Sequence, residues 1–345
     1  RFDGATVGAA AAVYDTSKLV VPNPAALRFT KNTTVRVPLV DVTAFAPTSL
    51  TFEVWIKPEI DATSKFGGFL ASLGDAGWRV GLMCNAAAGD SANDSFVGCC
   101  VGGTHVENSV GFYANDDDPC TQTPSSTTAV TNGEWTHVAV VVTEPGCVVK
   151  NATRGAAYSV CFLINGEYSG CNCSYGVASG LRLNDTAGVL AGDFALGGFV
   201  AAGNGSACGD ANLACASTSF RGLMDNVRVW NASLRHAVVG NYAASEIDND
   251  HPYLRNLIAN YSFAVGKFQG ESNLSAISDT HKHGNGTGFD GTVVNGTYEF
   301  DQDFELNQHP VRRDACPFTC EFNQYIVAQC PCDVPVCAAS AGSVD

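Results

Sequence analysis

Positive charge is scarce in this sequence: 19 Lys and Arg stand against 34 Asp and Glu, a formal net charge of −15. That balance argues against nucleic acid and anionic membrane as partners, because both demand dense positive charge. Long apolar runs are missing too. None approaches the roughly 20 residues of a membrane-spanning helix, and no signal-peptide pattern opens the chain, so it reads as a mature soluble product. There is no Gly-x-Ser-x-Gly elbow, and no Ser/His/Asp set suggests itself. Helix is nearly absent as well: the one convincing segment is short, about 234–244, with Asn231 or Ser233 as its cap.

Cysteine is abundant, with 15 in 345 residues. They are Cys84, Cys99, Cys100, Cys120, Cys147, Cys161, Cys171, Cys173, Cys208, Cys215, Cys316, Cys320, Cys330, Cys332 and Cys337. They sit among Gly/Asn turns rather than in paired metal-ligand spacing, which points to disulfides and an oxidising, extracellular setting. Asn-x-Ser/Thr sequons fall at Asn32, Asn93, Asn151, Asn172, Asn184, Asn204, Asn231, Asn260, Asn273, Asn285 and Asn295. Chance would supply roughly three or four, so N-linked glycans are expected. The ten cysteines up to Cys215 form an even set; the tail holds five, so one thiol is left over, for a bridge to another chain or within a tail–core arrangement.

Short alternating runs rich in Val, Phe, Trp and Thr dominate to about residue 235: Ala26–Val37, Leu50–Pro58, Phe69–Leu73, Trp78–Cys84, Gly111–Ala114, Glu134–Thr143, Tyr158–Leu163, Phe194–Gly198 and Gly222–Trp230. So many strands without long helices predict an all-β sandwich or barrel. Asn165-Gly166 between two apolar arms marks a hairpin, since both residues tolerate positive φ. In Leu50–Pro58 the alternation puts Phe52, Val54 and Ile56 on one side, while the strand around Val138 reads as covered on both faces. His137 is its polar exception, expected as a hydrogen-bonded structural histidine.

Four ordered segments resemble the laminin-G/pentraxin-like branch of the concanavalin A-like lectin/glucanase jelly rolls. They are Ala26-Leu27-Arg28-Phe29 leading to Val35-Arg36-Val37-Pro38; Leu50–Pro58; Gly133-Glu134-Trp135-Thr136-His137-Val138 with Leu163-Ile164-Asn165-Gly166 after it; and Phe220-Arg221-Gly222 through Asp225 to Trp230. The resemblance implies a sandwich of two antiparallel sheets. Residues 1–25 read as an N-terminal arm, 26–245 as the jelly roll, 246–311 as extra strands like the lead-in of a further module, and 312–345 as a Cys-rich disulfide tail.

Phe2-Asp3-Gly4-Ala5-Thr6-Val7-Gly8 returns near the other end as Phe289-Asp290-Gly291-Thr292-Val293-Val294-Asn295-Gly296. Either Leu257–Phe263 and its followers fold back onto their own sandwich, or one of the two end segments pairs with the sheet edge of a next subunit, giving head-to-tail filaments. The expectation is a non-enzymatic, secreted structural or adhesive subunit with copies of itself as partners. The alternative is a calcium-dependent carbohydrate-binding module taking extracellular glycans; a glycoside hydrolase comes third.

For hydrolysis, two carboxylates must project together from one strand. The nearest match, Glu246-Ile247-Asp248-Asn249-Asp250, reads instead as a solvated linker. Asp279 with His281 and His283, and the tail cysteines, are weak metal candidates. Calcium is the more serious cation: the resemblance places Asp225 at an acidic position of the last strand motif, and Asp116 and Asp118 belong to a dense run of hard oxygen ligands. Sugar binding would need an exposed aromatic platform, for which Trp78, Tyr113 and Tyr175 are candidates.

Overall fold

The computed structural model describes residues 26–30, 33–39, 45, 48–60, 67–74, 77–83, 106–114, 124–143, 158–175, 193–198, 219–245, 247, 249, 251–262, 276–277, 289, 291–294 and 297–299. These residues form two antiparallel eight-stranded sheets packed face to face, a jelly-roll sandwich. The first sheet runs β10 (Glu167–Tyr175), β9 (Tyr158–Ile164), β8 (Thr136–Thr143), β3 (Leu50–Pro58), β12 (Gly222–Trp230), β1 (Ala26–Phe29) and β16 (Thr297–Glu299), with β13 (Leu257–Tyr261) also on β12. The second runs β14 (Ala276–Ile277), β15 (Gly291–Val294), β2 (Thr34–Val37), β11 (Phe194–Leu196), β4 (Gly68–Leu73), β5 (Trp78–Leu82), β6 (Ser109–Ala114) and β7 (Ser125–Ala129).

Period-two alternation builds the core between the sheets. Phe52, Val54 and Ile56 of β3, Val138, Val140 and Val142 of β8, and Met224, Val227 and Val229 of β12 all enter it. They meet Val35, Leu70, Trp78, Phe112 and Phe194 from the other sheet. The run Ala26–Val37, expected as one strand, is two strands in opposite sheets. The chain turns at Thr30, whose carbonyl accepts the Thr33 N–H at 3.0 Å, so Phe29 and Val35 enter the same core from its two sides.

The Asn165-Gly166 turn forms as its chemistry requires, with φ of 54° and 75°. Gly68 is a second position that needs glycine: its φ is +94°, and a Cβ there would lie 2.3 Å from the Phe220 backbone nitrogen. The hairpin closed by Asn165-Gly166 carries the disulfide Cys161–Cys171, joining register partners on β9 and β10.

The outer face of the first sheet is covered by a short helix, α1 (His236–Tyr242), and by the segment running to the 3-10 turn Leu254–Asn256. Ala139, Val141, Leu163 and Trp230 pack there against Leu234, Val238, Val239 and Leu257. Neither Asn231 nor Ser233 caps α1. The preceding residue is Arg235, extended and without a side-chain cap; what holds the helix is its apolar face, in keeping with the small contribution of propensity at seven residues.

The late strands lie on this chain's own sheets. β13 pairs with β12 from Val227↔Tyr261 to Trp230↔Leu257, β15 with β2, and β16 with β1. No helix among the described residues is long and apolar enough to cross a membrane.

Candidate functional site

The outer face of the first sheet carries a buried polar cluster that sequence reasoning only partly saw. On β3, the side opposite Phe52, Val54 and Ile56 holds Thr51, Glu53 and Trp55; across it lie His137 of β8 and Arg228 of β12, the register partner of Glu53. Glu53, His137 and Arg228 are each about 1% exposed. The Trp230 indole N–H donates to Glu53 Oε1 at 2.6 Å, and His137 Nε2 lies 3.4 Å from Glu53 Oε2. Arg228 donates to the Tyr242 carbonyl at 2.9 Å and to the Ser245 carbonyl. A guanidinium rooted in the sheet thereby holds the chain leaving α1, and the Trp55 indole does the same by donating to Ala243 O at 2.7 Å.

Burial alone would raise the Glu53 carboxyl. The His137 contact, the Arg228 charge and the Trp230 bond outweigh it and hold the carboxyl below its ordinary value, so it is ionised. Burial pushes His137 the other way, down, against the pull of Glu53, so its imidazole is neutral. His137 is therefore a structural histidine packed beside Trp55, ring centroids 5.3 Å apart and planes tilted by 57°. The cluster is a clamp, enclosed between sheet and helix.

Asp225 belongs to the same face and is fully buried. It sits at a bulge of β12 where Asn226 takes a φ of 48°. One oxygen accepts the Asn226 backbone N–H at 2.8 Å and the other its side-chain amide at 3.3 Å. Among the described residues no three His, Cys, Asp or Glu side chains converge as a metal site would need. Asp116, Asp118, Asp279, His281 and His283 lie outside the described residues, as do Glu246, Asp248 and Asp250. Ile247 of that acidic run packs on the apolar patch beneath α1.

Trp78 is not a sugar platform. It is 1% exposed, inside the core, and its indole donates to the Phe45 carbonyl at 2.7 Å. The side chains of Tyr113 and Tyr175 lie outside the description. Among the described residues the exposed aromatic is Tyr168, at 50%, just past the Asn165-Gly166 turn on the edge strand β10. Its ring lies beside the His236 imidazole of α1, centroids 5.7 Å apart. Burial lowers His236 to about 4, so it is neutral at physiological pH. The sequence signal for Tyr168 was available: in Asn165-Gly166-Glu167-Tyr168 the aromatic follows a turn and a charge, where core residues are rare.

Of the sequons, Asn231 is exposed and Asn172 and Asn260 are half-buried; Asn32, Asn93, Asn151, Asn184, Asn204, Asn273, Asn285 and Asn295 lie outside the described residues. Cys161 and Cys171 are bridged. Cys173 is described in its backbone only, and the remaining cysteines, Cys84, Cys99, Cys100, Cys120, Cys147, Cys208, Cys215, Cys316, Cys320, Cys330, Cys332 and Cys337, lie outside the description.

No protein-family model matches the chain, and no curated protein matches its sequence. Among solved structures, a Bacteroides ovatus protein described as carbohydrate-binding aligns at 15% identity and TM-score 0.49, over 81% of this chain and 60% of that one. The heptameric SAP-like pentraxin of Limulus polyphemus aligns at 18% identity and TM-score 0.41, over 65% and 83%. The CBM40 of a Ruminococcus gnavus IT-sialidase, bound to α2,3-sialyllactose, aligns at 15% identity and TM-score 0.36, over 61% and 92%. The chain thus spans about three-fifths of the length of the Bacteroides protein. Likeness at this level carries nothing about ligand.

Proposed function

We propose that this chain is a secreted, N-glycosylated, non-enzymatic recognition module that binds extracellular carbohydrate on the outer edge of its first sheet. The observation that carries the reading is Tyr168: an aromatic ring half open to solvent, on a rigid edge strand, with the neutral imidazole of His236 beside it. A sugar stacks its C–H face on such a ring, and the ring loses little conformational freedom on binding because strand and helix already hold it. The Cys161–Cys171 bridge next to the platform stiffens the same hairpin and suits an oxidising compartment.

Calcium enters this proposal as a structural ion. Its candidate ligands are Asp225 and the run holding Asp116 and Asp118, whose oxygens are hard donors of the kind calcium takes. A glycan array probed with the purified protein, with and without a calcium chelator, tests both parts. Binding lost in Tyr168→Ala supports the platform; an array without signal overturns it.

A second reading, head-to-tail self-assembly into a filament or matrix, is favoured by one specific observation. The segment repeated near the start of the chain corresponds to β15, a strand with one defined place in the sandwich. Length-resolved imaging of the native protein tests it, and discrete particles alone would remove it.

A further inference from the structure

We infer that the edge of β2 is a shared strand slot, and that residues 2–8 of a second copy of this chain pair there in the register β15 takes. The inference rests on the assembly reading above and names the contact that reading needs.

The slot has a defined shape. β15 pairs with β2 through Thr292↔Arg36, Val293↔Val35 and Val294↔Thr34. It is entered by Phe289, whose ring meets Phe45 edge-on at 4.9 Å and whose carbonyl accepts the Tyr261 hydroxyl at 2.7 Å. The ring packs on the main core. An aromatic anchor, a carbonyl in a fixed position and a short run of extended residues are what the slot selects.

Residues 2–8 repeat that specification. Phe2, Asp3 and Gly4 stand where β15 has Phe289, Asp290 and Gly291, and Ala5, Thr6 and Val7 where it has Thr292, Val293 and Val294. Yet β2 offers one edge for two such strands, because its other edge is taken by β11 through Phe194↔Val37, Ala195↔Arg36 and Leu196↔Val35. Within one chain the slot is held by β15 and tied on both sides, through Tyr261 before it and through β16 on β1 after it. Every copy holds its slot in this way, so residues 2–8 enter the β2 edge of another copy by displacing its β15.

Exchange replaces one set of ladder bonds and one anchored ring by an equivalent set. Releasing β15 also returns the closure entropy of the connection through residues 263–288. The donor and acceptor surfaces are different parts of the chain, so the contact is heterologous and propagates instead of closing into a pair. This is strand addition by main-chain pairing, with side-chain specificity supplied by the anchor pocket.

The test places a photo-cross-linking residue in the full-length protein, Thr6→p-benzoylphenylalanine, and mixes light- and heavy-isotope preparations before irradiation. The inference predicts cross-links from position 6 to the β2 peptide containing Val35, in mixed-isotope pairs. Phe2→Asp, which would bury a charge in the anchor pocket, should lower their yield by about tenfold or more. Cross-links confined to one isotope, cross-links to other surfaces, or none at all would overturn it. Filaments that form without the link to Val35 would leave assembly standing and remove the slot.

Discussion

Removing Arg228 should cost more than its two helix-side bonds suggest, and part of that cost should be recovered when Glu53 is neutralised with it. The guanidinium is enclosed opposite the Glu53 carboxylate and donates to the Tyr242 and Ser245 carbonyls. In Arg228→Met the carboxylate stays ionised in a dry site with only the Trp230 indole and the His137 nitrogen 3.4 Å away to compensate it. Stranding one partner of a buried pair costs about 3–5 kcal/mol. In Glu53→Gln the stranded charge is the cation, with a similar expected loss. In the double variant neither charge remains and the methionine fills much of the arginine's volume. A double-mutant cycle by urea unfolding at pH 7 should then give a coupling of about 2–3 kcal/mol, the double variant being more stable than the sum of the singles. Additive effects would show that the two groups do not sense one another and that the clamp under α1 is misread.

Three further outcomes follow from the same geometry. His236, held near 4 in the folded state against 6.5 when free, is neutral when folded while the unfolded chain takes up the proton. Stability is therefore full above pH 6.5 and is lost as pH falls towards 4, by at most about 3 kcal/mol from this group; the difference curve between wild type and His236→Phe in calorimetry should show that slope, and parallel curves would contradict it. Cys161→Ala with Cys171→Ala opens a bridge between residues 10 apart and should cost about 2–3 kcal/mol by chain entropy, read as a lower unfolding midpoint, with no change expected if β9 and β10 are not joined. Trp78→Ala should destabilise by about 3–5 kcal/mol because it empties the core, whereas Tyr168→Ala on the surface should shift stability by less than about 1 kcal/mol; equal effects would mean that the two aromatics have been assigned to the wrong places.

The strands that bury one face and are covered on the other were the most legible. Leu50–Pro58 and Gly222–Trp230 are strands at the bounds their sequence suggests, because dense apolar alternation leaves no competing period. Ala26–Val37 was misread as continuous because a tight turn through Thr30 and Thr33 carries no Gly or Pro to announce it. Ser125–Ala129 escaped notice because it is a partly exposed edge strand of Ser and Thr, without an apolar face to register. Glu53 and Arg228 stand at positions that strand alternation turns away from the core between the sheets. Only their sharing a face with Trp55 and Trp230 hints that the face is covered, and the cover, α1 and the segment after it, comes from residues distant in sequence. Trp78 shows the converse: aromatic type alone does not tell a platform from a core residue, since an indole with one hydrogen-bond partner is fully at home inside.

The central claim concerns where a sugar docks, and saturation-transfer NMR on the intact protein with a glycan drawn from the array reads that directly. Selective saturation of the Tyr168 ring should appear on the sugar C–H protons and disappear in Tyr168→Ala, with the fold unchanged. Transfer of undiminished strength in that variant would place the ligand elsewhere and contradict the account.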